Sequence, residues 1–152
     1  MDFKIQAPFE PAGDQPQAIE QLAQGIEQGL RTQVLLGATG TGKTITSLNC
    51  LLEIYKRTGY YKAIILVPTI TLVNQWESEC RKFNFNTILK VCSTNSGWRE
   101  ELGSIKASEQ LDTPGKNASY VVICTYASFA KPAIFDSLNS LARNKVLIIA
   151  DE

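Results

Sequence analysis

An α/β fold, with a mostly parallel sheet and helices on both faces, is predicted by three features of the sequence. Short, continuous apolar runs recur at Lys62 to Val67 (K-A-I-I-L-V), Tyr120 to Cys124 (Y-V-V-I-C) and Val146 to Ala150 (V-L-I-I-A). Runs that are apolar on consecutive rather than alternate residues suit strands covered on both faces. Between them lie segments whose apolar residues fall at three- and four-residue steps, the spacing of helices that cover a sheet. Strand–helix alternation along the whole chain then implies a doubly wound layer with right-handed crossovers and a ligand site at the carboxyl ends of the strands. The 152 residues are enough for one domain with a substantial core.

Taken in order, the stretch from Phe3 to Pro16 holds Pro8, Pro11, Gly13 and Pro16, and is expected to be an extended lead-in over the body. Asp14 suits a helix cap with Pro16 in the first turn, and Ile19, Leu22, Ile26 and Leu30 then share one face of a helix ending near Gly29. Gln33 to Leu36 reads as a short strand. The helix after it turns Leu48, Leu51, Leu52 and Tyr55 inward and stops near Gly59. Lys62 to Val67 is a strand ended by Pro68 and Thr69; Leu72, Val73, Trp76 and Cys80 repeat at helical spacing up to Phe83; Thr87 to Cys92 gives another strand. From Ser93 to Ser119 the signals weaken. Trp98, Leu102 and Ile105 suit a short amphipathic helix, Asp112 to Asn117 is turn chemistry, and the segment reads as an excursion from the sheet. Tyr120 to Cys124 is a buried strand, a helical stretch runs through Ile134, Leu138 and Leu141, and Val146 to Ala150 is the last strand.

Composition narrows the function classes. Forty-four per cent hydrophobic and 20% charged residues describe a globular chain rather than a disordered one. Fifteen basic and fifteen acidic residues cancel, so contact with nucleic acid would depend on a local surface rather than on net charge. Cys50, Cys80, Cys92 and Cys124 are widely spaced and the chain has no histidine, which argues against a zinc site and for buried, reduced thiols. No segment approaches the roughly 20 apolar residues that span a bilayer, and the opening Met1-Asp2-Phe3-Lys4 has no signal-peptide character; a cytoplasmic protein with no membrane partner is expected.

The strongest motif is Gly37-Ala38-Thr39-Gly40-Thr41-Gly42-Lys43-Thr44, in which Gly37-x-x-x-x-Gly42-Lys43-Thr44 matches a phosphate-binding loop. Glycines allow backbone N–H groups to converge on an anion, and a helix starting near Gly42 adds its positive end. Lys43 would reach the β- and γ-phosphates, and the Thr44 hydroxyl would take a position on Mg²⁺. The plain alternative is a glycine-rich link between a strand and a helix. Asp151 and Glu152, directly after the last apolar run, supply a second part of the same chemistry: one carboxylate for Mg²⁺, one to orient or deprotonate a water. On their own they would also suit the solvated start of a helix.

Two stretches carry a family resemblance. Phe3 to Thr46, with F-K-I-Q-A-P-F-E-P-A-G-D-Q-P-Q-A-I and L-L-G-A-T-G-T-G-K-T, resembles the start of the UvrB family of bacterial nucleotide excision repair. From Ile64 onward the chain is similar to general superfamily 2 helicases and restriction-type translocases, through V-P-T-I-T-L-V-N-Q-W (motif Ia), I-C-T-Y-A-S-F and I-I-A-D-E, the start of a D-E-x-H box. The tyrosine-rich hairpin that follows motif Ia in the UvrB family has no counterpart here.

The resemblance implies a first RecA-like P-loop NTPase domain over residues 1–152, with residues 1–32 as Q-motif lead-in and helix and 33–152 as P-loop core, cut at the D-E-x-H motif. It implies ATP and Mg²⁺ as cofactors, with Gln15 on the adenine edge and Phe9 stacked on its ring; both also suit plain structural roles. It implies DNA as partner, gripped at its phosphates by Pro68, Thr69, Thr125 and nearby Ser128. Pro68-Thr69 is equally well suited to a strand stop and helix cap. Trp98 with Arg99 could offer a base a stacking platform, but its helical spacing favours packing. Lys43, Asp151 and Glu152 would be catalytic, and a second RecA-like domain of the same parent would complete the site. The implied function is the ATP-binding domain of an ATP-dependent DNA helicase or translocase, UvrB-like in DNA repair. A restriction-type translocase motor and a non-catalytic nucleotide-binding module are the alternatives.

Overall fold

The computed structural model describes residues 15–28, 32–36, 42–113, 117–141 and 146–151. Helix α1 (Gln15–Glu27) leads into strand β1 (Thr32–Leu36), helix α2 (Gly42–Thr58) and strand β2 (Lys62–Val67). Helix α3 (Ile70–Lys82), strand β3 (Ile88–Val91), helix α4 (Trp98–Gln110) and strand β4 (Tyr120–Thr125) follow. The short helix α5 (Tyr126–Phe129), helix α6 (Pro132–Asn139) and strand β5 (Val146–Ala150) complete the order. The bounds of β2 and β5 coincide with the apolar runs of the sequence.

The strands form a five-stranded sheet in the order β1-β5-β2-β4-β3, with every pairing parallel. The last strand therefore lies between the first and the second. Alternate residues of the strands serve two cores. On one face Ala63, Ile65 and Val67 of β2, Val121 and Ile123 of β4, and Leu147 and Ile149 of β5 meet α1, α2 and α3 through Ile26, Leu48, Leu51, Val73 and Trp76. On the other face Ile64, Leu66, Leu89, Val91, Val122 and Cys124 meet α4 and α6 through Leu102, Ile105, Ile134 and Leu138. Each fully buried aliphatic side chain is worth about 1.5–3 kcal/mol relative to exposure, so both layers are needed to hold the sheet.

The segment that reads as an excursion is corrected by the structure: α4 has 13 residues and lies on the second face as the crossover between β3 and β4. Its apolar stripe is thin, with Leu102 and Ile105 buried and Trp98 half-buried at the edge, which is why its periodicity is weak. Its carboxyl end is anchored electrostatically. Lys62, only 4% exposed in β2, lies 2.9 Å from Asp112 Oδ2 and 3.3 Å from Glu109 Oε1. The rings of Tyr60 and Tyr120 lie 5.7 and 5.9 Å from the same ammonium.

Helix α1 is fixed to α2 by Arg57, which pairs with Glu20 and Glu27 of α1 and with Glu53 of its own helix. Helix α2 ends where Gly59 takes φ of 83° and its N–H donates to the Tyr55 carbonyl at 2.8 Å, a left-handed cap that favours glycine. All four cysteines are free and buried, as their spacing predicts.

Candidate functional site

The carboxyl ends of β1 and β5 lie side by side, because Leu36 is the register partner of Ala150. The strand that leads into the glycine motif and the strand that leads into the acidic pair thus end together. Asp151 continues the ladder on its other side, its N–H donating to the Leu66 carbonyl of β2 at 2.9 Å. Two further contacts fix the residue. Trp76 Nε1 donates to Asp151 Oδ2 at 2.9 Å, and the Tyr126 hydroxyl donates to the Asp151 carbonyl at 2.9 Å.

Thr44 stands in the first turn of α2 and is half-buried. It shares with Asp151 a cavity of about 480 Å³ whose remaining wall is Ile45 of α2 and, from α3, Leu72, Gln75, Trp76, Ser78, Glu79 and Lys82. A hydroxyl and a carboxylate are hard oxygen donors, the kind Mg²⁺ takes. Among the described residues no cluster of three or more His, Cys, Asp or Glu could hold a metal by itself. Mg²⁺ is commonly bound through one or two carboxylates plus substrate phosphates. The residues present therefore fit a Mg²⁺–nucleotide.

Phe9, Gly37, Ala38, Thr39, Gly40, Thr41 and Glu152 lie outside the described residues. So do the side chains of Gln15 and Lys43, whose backbones open α1 and the first turn of α2.

The four residues expected on DNA share the carboxyl end of the sheet, since Val67 pairs with Thr125 and both segments leave adjacent strand ends. They differ in exposure. Pro68 and Thr69 are exposed, and Thr69 Oγ1 caps α3 by accepting from Leu72 N at 3.2 Å. Thr125 and Ser128 are buried, at 5% and 6% exposure, and face one another: Thr125 Oγ1 accepts from Ser128 N at 3.2 Å to open α5. The Thr125 hydroxyl and the Ser128 N–H serve the turn from inside, and the surface there belongs to Tyr126, Ala127 and Lys131. Trp98 packs against the second core with the Arg99 guanidinium 5.1 Å from its ring, so packing accounts for it.

From its helical spacing Trp76 is expected in the core, and Tyr126 carries no expected role. The core position is right, at 2% exposure, but the indole N–H reaches out of that core to the acidic residue. The available signal is generic: a buried tryptophan needs an acceptor for its N–H.

The family model described as "Type III restriction enzyme, res subunit" matches residues 8–152. The chain belongs to that family. As a res-subunit family domain it has the RecA-like α/β architecture that its motifs imply, with the phosphate-loop strand and the acidic strand adjacent. Among curated proteins it is similar to UvrABC system protein B of Staphylococcus aureus (strain MSSA476), 51% identical over 81 residues. The same protein of Symbiobacterium thermophilum is 48% identical over 81 residues, and that of Chloroflexus aggregans 47% over 83. These alignments cover 53% to 55% of this chain and 12% of each relative. No helix among the described residues of this family member is long and apolar enough to cross a membrane.

Proposed function

We propose that this chain is the ATP-binding motor domain of an ATP-dependent DNA helicase or translocase, UvrB-like in a DNA-repair role and working in the cytoplasm. The observation that carries the reading is the meeting of Thr44 and Asp151 at one cavity, on the paired ends of β1 and β5. Residues 1–32 act as the adenine-reading lead-in, with Gln15 on the base edge and Phe9 on its face. Gly37 to Gly42 cradle the phosphates with backbone N–H groups, and Lys43 neutralises the β- and γ-oxygens. Thr44 and Asp151 hold Mg²⁺. Once bound, the ion neutralises charge that develops on the phosphates. Glu152 orients the attacking water and takes its proton. Pro68 and Thr69 face one DNA strand, while Thr125 and Ser128 hold the adjoining turn in shape. A second RecA-like domain in the same parent closes the other side of the nucleotide.

In the full-length protein, Lys43→Ala is expected to abolish DNA-stimulated ATP hydrolysis, and retention of that activity would refute the assignment. The family match favours a second reading, a restriction-type translocase motor. The two separate on substrate: a repair motor responds to a damaged duplex, whereas a restriction motor consumes ATP on intact duplex after recognising its site. Mg²⁺–ATP binding without turnover in the intact parent would instead leave a nucleotide-binding module.

A further inference from the structure

We infer that Trp76 is a positioning residue for the Mg²⁺-binding carboxylate of Asp151, so that the seat of helix α3 sets the metal affinity of the nucleotide site. This rests on the functional reading of Asp151 given above. The two residues are far apart in sequence and meet through one hydrogen bond of 2.9 Å from Nε1 to Oδ2. The donor is immobile: Trp76 is 2% exposed and packed in the first core beside Val73 and Cys80 of its own helix. Asp151 is also held along its backbone, by Leu66 on one side and the Tyr126 hydroxyl on the other.

With the backbone fixed, the indole restrains how the carboxylate turns. A carboxylate has about four lone-pair sites, so one oxygen engaged by an N–H leaves the group able to bind a metal in a defined orientation. Hydrogen bonds from a second layer of residues orient metal ligands in this way, and losing one typically costs about 10–100-fold in metal affinity. Trp76 also lines the cavity that Asp151 and Thr44 share, with Gln75 and Glu79 one position before it and three after. A shift of α3 therefore moves the donor and the cavity wall together.

The test uses ADP and Mg²⁺ as probes. Trp98→Phe leaves Trp76 as the one tryptophan in this sequence. In that background, its emission is expected to change on adding ADP with Mg²⁺ but not ADP with a chelator, and Asp151→Asn is expected to remove the change. Calorimetry of ADP binding across Mg²⁺ concentrations gives the second measurement. Trp76→Phe is expected to reduce the Mg²⁺-dependent gain in ADP affinity about tenfold. An unaltered Mg²⁺ dependence in Trp76→Phe, or Trp76 emission blind to Mg²⁺–ADP while the wild type binds it, overturns the positioning role and leaves the site reading intact. If the wild type shows no Mg²⁺-dependent ADP binding at all, the site reading itself fails. Should Trp76→Phe not fold, the emission experiment decides alone.

Discussion

Lys62 Nζ lies 2.9 Å from Asp112 Oδ2 at the amino end of β2, within a wall of tyrosines, at the opposite end of the strands from Asp151. The pair ties the end of α4 to the middle of the sheet. Removing one partner of a buried pair leaves the other charge uncompensated, at a cost of about 3–5 kcal/mol. Lys62→Met is therefore expected to lower the urea midpoint substantially with the denaturant slope unchanged. A midpoint shift worth less than about 1 kcal/mol would show that Glu109 and Asp112 are well served by water instead.

The two threonine caps should separate by experiment. Thr69→Ala removes an exposed cap of α3, worth about 1 kcal/mol, and also a hydroxyl on the proposed DNA edge. Weaker single-stranded DNA binding is expected as well. Thr125→Val keeps the volume but strands the buried Ser128 N–H, costing about 1–3 kcal/mol. DNA affinity distinguishes them: Thr125→Val is expected to keep the wild-type affinity, because that hydroxyl is buried and faces inward.

The Arg57 cluster predicts an acid-sensitive helix. Glu20 is held below its ordinary value of 4.5 chiefly by its hydrogen bond to Arg57. A carboxyl depressed in the folded state stabilises it above the unfolded pKa, and that contribution is lost as pH falls through the folded value. Hydrogen exchange of α1 should accordingly accelerate below about pH 4.5 relative to the sheet. In Glu20→Gln that acid-induced difference should shrink, and an unchanged profile would remove Glu20 from the explanation.

The chain alone is expected to bind nucleotide weakly and turn it over poorly. Motors of this kind draw transition-state charge stabilisation from an arginine supplied across the nucleotide, worth about 10³ or more in rate. Steady-state hydrolysis by the 152-residue chain should fall at least that far below the full-length protein. Robust multiple turnover by the chain would show that its own residues complete the site.

The strands were readable because their burial is two-sided: Lys62–Val67 is buried at every position, so the apolar run and the strand coincide. The glycine motif and the acidic pair are patterns of local spacing, so the sequence can offer them as candidates; the structure adds that the strands before them are paired, Leu36 with Ala150. Three things were not readable. Helix α4 carries too few apolar residues to announce that it covers the sheet. Thr125 and Ser128 look available as polar residues after a strand, and only the turn of α5 buries them, with the Thr125 hydroxyl spent on the Ser128 N–H. The Trp76 bond to Asp151 joins distant positions through tertiary packing, which no periodicity encodes.

The placement of β5 has a consequence for the birth of the protein. During synthesis β1 emerges first, yet among the described residues its strand partner is β5, the last of these five strands to leave the ribosome. Strands β2, β4 and β3 can assemble while β1 still waits, since none of their contacts with one another needs β5. The final strand must then enter a gap between two others and close both edges at once, a long-range step of the kind that slows folding. A ribosome-stalled intermediate would thus contain β2, β4 and β3 without the strand ends that meet at the candidate site. The proposed nucleotide site, which needs the paired ends of β1 and β5, forms only when the whole sheet does.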